Sequence, residues 1–312
     1  MRERLALLIA TKDRPEEVRR LLESIRVQSS QPDQIIIVDG GTEQVEHITI
    51  EFKDLPIVYL TLRPPSLTKQ RNLGLRYLLP HITLVGSIDD DIVFLPSALE
   101  NMLRFWENIS EDAGGASFNI INYRRSRFPL LKSFFLLDGK RKGILLRSGI
   151  GTVPHPVPET QEVEWLCGGA TVWRRRVLEQ HHFDEWFYEL GWNEDVAFSV
   201  LVGKNVRKFV VADAQVKDTE PFVKNLNNIL FGKMQIIHRL YVVKKYSQFS
   251  VGACIWASLG QMLVNAAVGL SRMDFRRLLR AWGNILGLVS ACQGKLWVYP
   301  NQEALSPLLL QK

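Results

Sequence analysis

No glycine occurs before Gly40. The first apolar run, 5–10 ("LALLIA"), therefore passes straight into the polar stretch "TKDRP" without a glycine-rich turn. The dinucleotide fingerprint G-x-G-x-x-G and the P-loop both need glycine where backbone amides meet phosphate, so neither operates here, and a nucleotidyltransferase reading is weakened as well. Cysteine is scarce: Cys167, Cys254 and Cys292 are far apart and form no C-x-x-C pair. That argues against a disulfide framework and a zinc site, and it fits a reducing compartment. The apolar part of the N-terminal segment is too short for a signal peptide. Charged residues are missing from Ser247 to Ser271, and acidic ones are rare near the C-terminus. Residues 221–312 hold eleven Lys and Arg against two Asp and Glu, a charge of +9 in a chain of net +6, which leaves −3 for the rest. A basic tail on a mildly acidic body faces something anionic. Its basic residues flank apolar runs, so a membrane surface suits it better than nucleic acid.

The 312 residues are 46% hydrophobic, enough for a large core. "LALLIA" reads as a buried strand. Pro15 suits the first turn of a helix, with Glu16 and Glu17 near its positive end and Val18, Leu21, Leu22 and Ile25 on one face. Further strands are expected at 34–41, 56–62 and 82–88. A helix is expected over 68–79, with Leu75, Leu78 and Leu79 on one side. Another starts near Pro96, with Leu99, Met102, Leu103 and Trp106 at helical spacing. Strands alternating with amphipathic helices imply an α/β fold with a mostly parallel central sheet flanked by helices. Ligands of such sheets bind beyond the carboxyl ends of the strands. Polar residues collect there: Thr11, Asp13 and Arg14 after the first strand, Asp39 after the second, and Asp89, Asp90 and Asp91 after the fourth.

Three consecutive aspartates repel one another, and a hard cation that also bridges to phosphate would offset this. In an extended segment Asp89 and Asp91 face the same way. The plainer alternative is a solvated acidic turn ahead of a helix. Near the middle of the chain, "NED" (193–195) reads as a helix start in which Asn193 caps and the acids meet the dipole, or as a site that orients a base. Glu194 and Asp195 would diverge by about 100° on a helix, so they do different jobs. "CGGA" (167–170) is either a flexible turn or a place where backbone approaches a ligand closely. Trp165, Trp173 and Trp192 suit a core, and Trp192 also suits stacking on a sugar.

The stretches "IATKDRPEEVRRLLESIRVQSSQPDQIIIVDGG", "KQRNLGLRYL", "SIDDDIVF" and "VEWLCGGATVWRRRVLEQHHFDEWFYELGWNEDVAFSVLVGKN" together resemble family 2 glycosyltransferases of the GT-A fold, over roughly residues 3–245. The resemblance implies inverting transfer of a sugar from a nucleotide diphosphate sugar to an acceptor hydroxyl. It implies a catalytic domain over 1–221, with a nucleotide-sugar half at 1–119 and an acceptor half at 163–221. Thr11, Asp13, Arg14, Asp39, Lys69, Arg71, Asn72, Asp89, Asp90, Gly168 and Gly169 match donor-binding positions. Asp91 and Asp89 match the D-x-D pair that holds a divalent cation, Mg²⁺ or Mn²⁺, and Asp195 matches the catalytic base. Trp192 and Glu194 fall on the acceptor side. Many relatives carry a histidine ligand near "AQVKDTEP" (214–221). Here Lys217 and Asp218 stand instead, so Asp218 is the candidate replacement. One rival reading is an inactive sugar-nucleotide or polysaccharide binding protein, against which retention of both "DDD" and "NED" argues; the other is a nucleotidyl or phosphoryl transferase using the same aspartates, against which the absent glycine loop argues.

Two segments lie outside this scheme. Residues 123–147 hold eight Lys and Arg against Asp138 alone, interleaved with "FPLLKSFFLL". They read as a basic loop with a buried apolar segment, as a lid, or as a surface for a lipid-linked acceptor. Residues 222–312 are expected to form a helical extension. Within it 249–270 is long enough to span a bilayer but carries Gln261 and Asn265, so a hairpin or a helix pair lying on the membrane over 249–292 fits better than one crossing; the alternative is two helices packed against the catalytic body or a second subunit. The expected location is cytoplasmic, peripheral to the inner face of a membrane. The expected partners are a nucleotide sugar and a saccharide or lipid-linked acceptor, with no nucleic acid.

Overall fold

Leu5, Leu7 and Ile9 point to one side of the first strand and Ala6 and Leu8 to the other, and all five are buried. An apolar run without alternation becomes a strand covered on both faces. The computed structural model describes residues 2–42, 45–123, 128–188, 191–219 and 227–298. In chain order the elements are β1 (Leu5–Thr11), α1 (Pro15–Arg26), β2 (Gln34–Asp39), α2 (Glu46–Ile50), β3 (Ile57–Thr61), α3 (Leu67–Leu75), β4 (Leu84–Asp89), β5 (Ile92–Phe94), α4 (Ala98–Asn108), β6 (Ala113–Ile120), α5 (Pro129–Phe134), β7 (Gln161–Val163), β8 (Ala170–Arg174), α6 (Arg175–Gln180), α7 (Glu194–Val202), β9 (Arg207–Asp218), α8 (Asn228–Lys245), α9 (Val251–Arg272) and α10 (Phe275–Cys292). They group into two compact units, Met1–Arg124 with Pro154–Pro221, and Arg125–Val153 with Phe222–Lys312.

In the first unit the described strands form one sheet of order β3-β2-β1-β4-β8-β6-β9-β5, with β7 on β9. The four strands β3-β2-β1-β4 are all parallel, as their alternation with helices requires. Beyond β4 the sheet is mixed: β8 runs antiparallel to β4 and β6, while β9 is parallel to β6. Val18, Leu21, Leu22 and Ile25 of α1 and Leu99, Met102 and Trp106 of α4 pack on the face that carries Leu5, Leu7 and Ile9. Val177 and Leu178 of α6 and Phe198 and Val202 of α7 cover the face of Ala6 and Leu8, together with Trp173. Trp165 and Trp173 are buried.

Helix α3 departs from expectation. It ends at Leu75, Leu79 is 42% exposed, and its buried positions are Thr68, Gln70, Arg71 and Gly74. The reason is local. Gln70 Nε2 donates to the carbonyls of Thr11 (3.0 Å) and Val38 (2.7 Å), so this helix docks by hydrogen bonds onto strand ends. A polar buried face carries no hydrophobic period to read.

In the second unit α8 and α10 meet at glycines: a Cβ on Gly283 would lie 2.0 Å from the Ile229 carbonyl oxygen. Asn284 Nδ2 donates to the Gly232 carbonyl (2.8 Å), and Asn265 Nδ2 donates to Asn284 Oδ1 (2.9 Å). Asp274 caps α10 through the amides of Arg276 and Arg277. Among the described residues α9 is the helix long and apolar enough to cross a membrane, judged by length and composition. In the basic insert, the apolar residues of α5 are exposed rather than buried, Leu130 by 84% and Phe134 by 65%.

Candidate active site

The parallel strands deliver their last residues side by side, with Thr11 opposite Asp39 and Ala10 opposite Asp89. Asp39 is fully buried and turned into its own loop. Its Oδ1 accepts from the Gly41 amide (2.7 Å), and its Oδ2 accepts from the Val45 amide (3.1 Å) and the Tyr59 hydroxyl (2.7 Å). Asp13, at φ +53°, accepts from the Thr42 hydroxyl at 3.1 Å and so joins the loops after β1 and β2.

Two arginines divide the aspartate triplet. Arg14 donates to Asp90 Oδ1 (2.6 Å) and, through both terminal nitrogens, to Asp91 Oδ2 (3.1 Å each). Thr11 Oγ1 adds a bond to Asp90 Oδ2 (2.7 Å). Arg71, only 2% exposed, pairs with Glu194 Oε1 and donates to Asp89 Oδ1 (3.1 Å) and the Gly168 carbonyl (3.3 Å). Different partners hold Asp89 and Asp91, yet Asp89 is the foremost charge acting on Asp91. Strand β4 ends at Asp89, and Asp90 and Asp91 form the turn into β5. The side chains of Asp90 and Asp91 therefore share one partner, and Asp89 takes another. Strand β5 then pairs with β9, with Ile92 opposite Asp218, and the Thr219 amide donates to the Asp91 carbonyl (2.9 Å). Asp218 is thereby brought beside Asp91, where the expected replacement for the histidine would have to lie.

The loop before β8 closes the other side. A Cβ on Gly169 would lie 2.3 Å from Asp89 Oδ2, and one on Gly168 would lie 2.8 Å from Glu194 Oε1, so only glycine lets these carboxylates approach. The Gly168 amide donates to Asp195 Oδ2 (3.2 Å), and the Val196 amide donates to Oδ1 (2.8 Å). The chain reverses tightly ahead of α7, with Gly191 at φ +61° and Asn193 at φ +71°. Asn193 is the N-cap residue, but its side chain does not cap the helix, contrary to the capping reading of "NED". Trp192 is half-buried in this reversal.

Of the expected donor residues, Asn72 bonds outside this cluster. Asn72 Nδ2 donates to the Phe183 carbonyl (2.9 Å) and Glu185 Oε1 (3.1 Å), and its Oδ1 accepts from the Phe183 amide (3.0 Å), which staples the loop after α6. Lys69 makes no hydrogen bond or ion pair among the described residues. Sequence reasoning missed Gln70, whose amide ties two strand ends, and Cys167. The Cys167 thiol lies within the field of Asp195, Asp89, Asp218 and Glu194, and burial with these charges keeps it protonated.

Four carboxylates, Asp89, Asp90, Asp91 and Glu194, therefore share two arginines. Burial pushes Asp90 up to about 7, with Arg14 opposing. Burial and the charges of Asp89 and Asp90 push Asp91 up to about 8, and Asp218 adds to this. Burial raises Glu194 to about 7 against the pull of Arg71. Burial raises Asp195 as well, against its two amide donors. Crowded carboxylate oxygens are the kind of donor that a hard divalent cation takes. Among the described residues no three His, Cys, Asp or Glu side chains are grouped so that they could hold a metal ion.

The raised values carry a sign that can be measured. Asp90, Asp91 and Glu194 bind protons more tightly folded than unfolded, so stability falls as pH rises toward their folded values. The metal-free protein should melt higher at pH 6.5 than at pH 8, by on the order of 5 °C. A flat or rising profile over that window would contradict the burial of these groups. Lower pH is avoided because buried His155, held neutral with its pKa lowered to about 4, acts in the opposite sense.

A sheet whose strand ends present carboxylates, an arginine pair and a glycine loop in this arrangement is the GT-A fold. Similar solved structures include S. aureus TarS 1–349 (TM-score 0.57, 15% identity, 98% of this chain and 86% of that one). They also include the mannosyltransferase PcManGT from Pyrobaculum calidifontis in complex with GDP-Man and Mn²⁺ (TM-score 0.59, 14% identity, 95% and 88%). At these identities the likeness shows the fold. The sequence profile of glycosyl transferase family 2 matches residues 6–181, and the chain belongs to that family. The uncharacterized glycosyltransferase YwdF of Bacillus subtilis (strain 168) is 29% identical over 136 residues, 42% of this chain and 49% of that protein. The match thus spans about half the length of that relative.

Proposed function

We propose that the protein is an inverting glycosyltransferase that moves a sugar from a nucleotide diphosphate sugar to the hydroxyl of a saccharide, free or lipid-linked, in the assembly of a cell-surface polysaccharide or glycolipid. The observation that carries this reading is that the Asp195 carboxylate is fixed by two backbone amides beside the loop that packs on Asp89. In a single displacement the acceptor oxygen bonds the anomeric carbon and gives its proton to Asp195, and the electron pair of the breaking bond leaves on the diphosphate. Burial raises the proton affinity of Asp195, which suits a base. Glu194 is held by Arg71 and orients the loop instead. Asp91 and Asp89, with Asp218 beside them, would hold Mg²⁺ or Mn²⁺, which when bound supplies positive charge for the departing diphosphate. The similar structures support a nucleotide sugar and a divalent cation as the bound groups: one holds GDP-Man with Mn²⁺, and another, TarS 1–349, holds UDP-GlcNAc.

A thermal-shift screen of UDP-, GDP- and dTDP-sugars tests the donor site, because a ligand bound only by the native state raises the melting point. One nucleotide class should raise it with Mn²⁺, and chelator or Asp91→Asn should remove the effect. No shift with any donor, or a shift indifferent to chelator, rejects the metal-assisted site. The anomeric configuration of the product, read by NMR, decides between inversion and retention.

A further inference from the structure

Helix α9 is amphipathic in the wrong sense for water. Its buried positions are Cys254, Ala257, Ser258, Gly260, Val264, Asn265 and Gly269, small or polar residues. Its large apolar residues face outward: Val251, Ile255, Trp256, Leu259, Leu263 and Leu270 are 37–71% exposed and recur mostly every fourth residue, on one side of the helix. A helix exposed to water places these two sets the other way round.

The outward stripe continues onto α5. Phe134 and Phe135 pack edge-on and tilted against Trp256, with ring centroids 5.3 and 4.8 Å away, and Trp256 Nε1 donates to the Phe134 carbonyl at 2.9 Å. Leu130 and Phe134 then extend the apolar surface. At the far end the turn between α9 and α10 exposes Met273 by 92% and Phe275 by 69%, flanked by Arg272 and Arg276. Lys132 lies within α5, and exposed Lys140 and Arg141 follow it in the chain. The acids nearby are already engaged: Asp138 pairs with Lys142, and Asp274 caps α10.

We propose that this face of α5, α9 and the α9–α10 turn docks on a bilayer surface that carries anionic headgroups. Apolar side chains ringed by arginine and lysine match the boundary between acyl chains and negative phosphates. The helix lies on the membrane rather than crossing it. Its inner side is joined to α8 and α10 through Asn265, Asn284 and Gln235, and α10 also carries Arg280, which donates to Asn228 Oδ1 at 2.7 Å. A spanning α9 would draw these polar partners into hydrocarbon. The inference uses no step of the transfer chemistry, and its test needs no turnover.

The full-length protein is mixed with phosphatidylcholine vesicles, with or without phosphatidylserine, and floated on a gradient. It should float with the anionic vesicles and remain at the bottom with the neutral ones. Arg272→Gln with Arg276→Gln should raise the lipid concentration needed by about thirtyfold, roughly fivefold for each charge removed. Leu259→Ser with Leu263→Ser should abolish flotation. If that variant fails to fold, quenching of wild-type tryptophan fluorescence by brominated lipid, lost in Trp256→Phe, reports the same contact. Absence of flotation in wild type overturns the proposal. So does a stable dimer in sedimentation that the Leu259→Ser, Leu263→Ser variant dissolves, because the stripe then belongs to a second copy.

Discussion

Asp195→Asn should lower sugar transfer by about 10²- to 10⁴-fold while leaving donor affinity near that of the wild type. The substitution keeps the shape of the side chain. One amide oxygen can still accept from the Val196 amide, which now donates to Oδ1 at 2.8 Å. The longer bond from Gly168, 3.2 Å to Oδ2, is lost, at a stability cost of about 1 kcal/mol. What disappears entirely is the ability to take a proton. Glu194 cannot take over, because its Oε1 is held by Arg71 and its Oε2 is buried with no hydrogen-bond partner among the described residues. Turnover and donor binding are measured on the same preparation, with Glu194→Gln alongside. A large loss in Glu194→Gln with normal turnover in Asp195→Asn would exchange the two assignments. A parallel loss of donor affinity in Asp195→Asn would make the residue part of the binding site rather than the base.

How much of this was legible in the sequence depended on whether the signal was local. β1, β2 and α1 could be read because burial on both faces, or on one, imposes an apolar run or a 3.6-residue period, and Val18, Leu21, Leu22 and Ile25 are buried as that period requires. The mixed side of the sheet could not. β6, β8 and β9 pair across as many as about a hundred residues, and nothing in a local window encodes which strand lies beside which. Helix α3 was read only in part: Leu75 and Leu78 pack on the core as expected, but its fully buried face is made of Thr68, Gln70, Arg71 and Gly74. The aspartate triplet announced a site by its chemistry, but its geometry was hidden. That Arg14 joins Asp90 and Asp91 while Arg71 takes Asp89 follows from a turn at 90–91 and from long-range packing. The inverted face of α9 was invisible for a similar reason: its sequence has no charge before Arg272, and only the packing of Asn265 and Gly269 inward shows which side is out.

Arg71→Met should cost about 3–5 kcal/mol of stability, the usual penalty for removing one member of a buried ion pair. Arg71 and Glu194 are 2% and 5% exposed, and the guanidinium also holds Asp89 and the Gly168 carbonyl. Methionine fills much of the space but offers nothing to the carboxylates. Glu194, already raised to about 7 beside Arg71, would bind its proton still more tightly without it. The sign of the pH dependence follows. Below the ordinary glutamate value of 4.5 the group is protonated whether the chain is folded or not, and the penalty vanishes. As pH rises, the unfolded chain ionises while the folded one resists, and stability is lost. Urea unfolding should therefore show a larger deficit for Arg71→Met at pH 8 than at pH 5.5. Adding Glu194→Gln should recover stability at pH 8, since a neutral amide needs no cation. Sugar transfer should stay lost in the double variant, because the loop bearing Gly168 and Gly169 no longer has the arginine that fixes it against Asp89. An Arg71→Met protein as stable as wild type at both pH values would mean that the buried pair does not form. A double variant with restored stability and restored transfer would confine Arg71 to folding and take it out of the site.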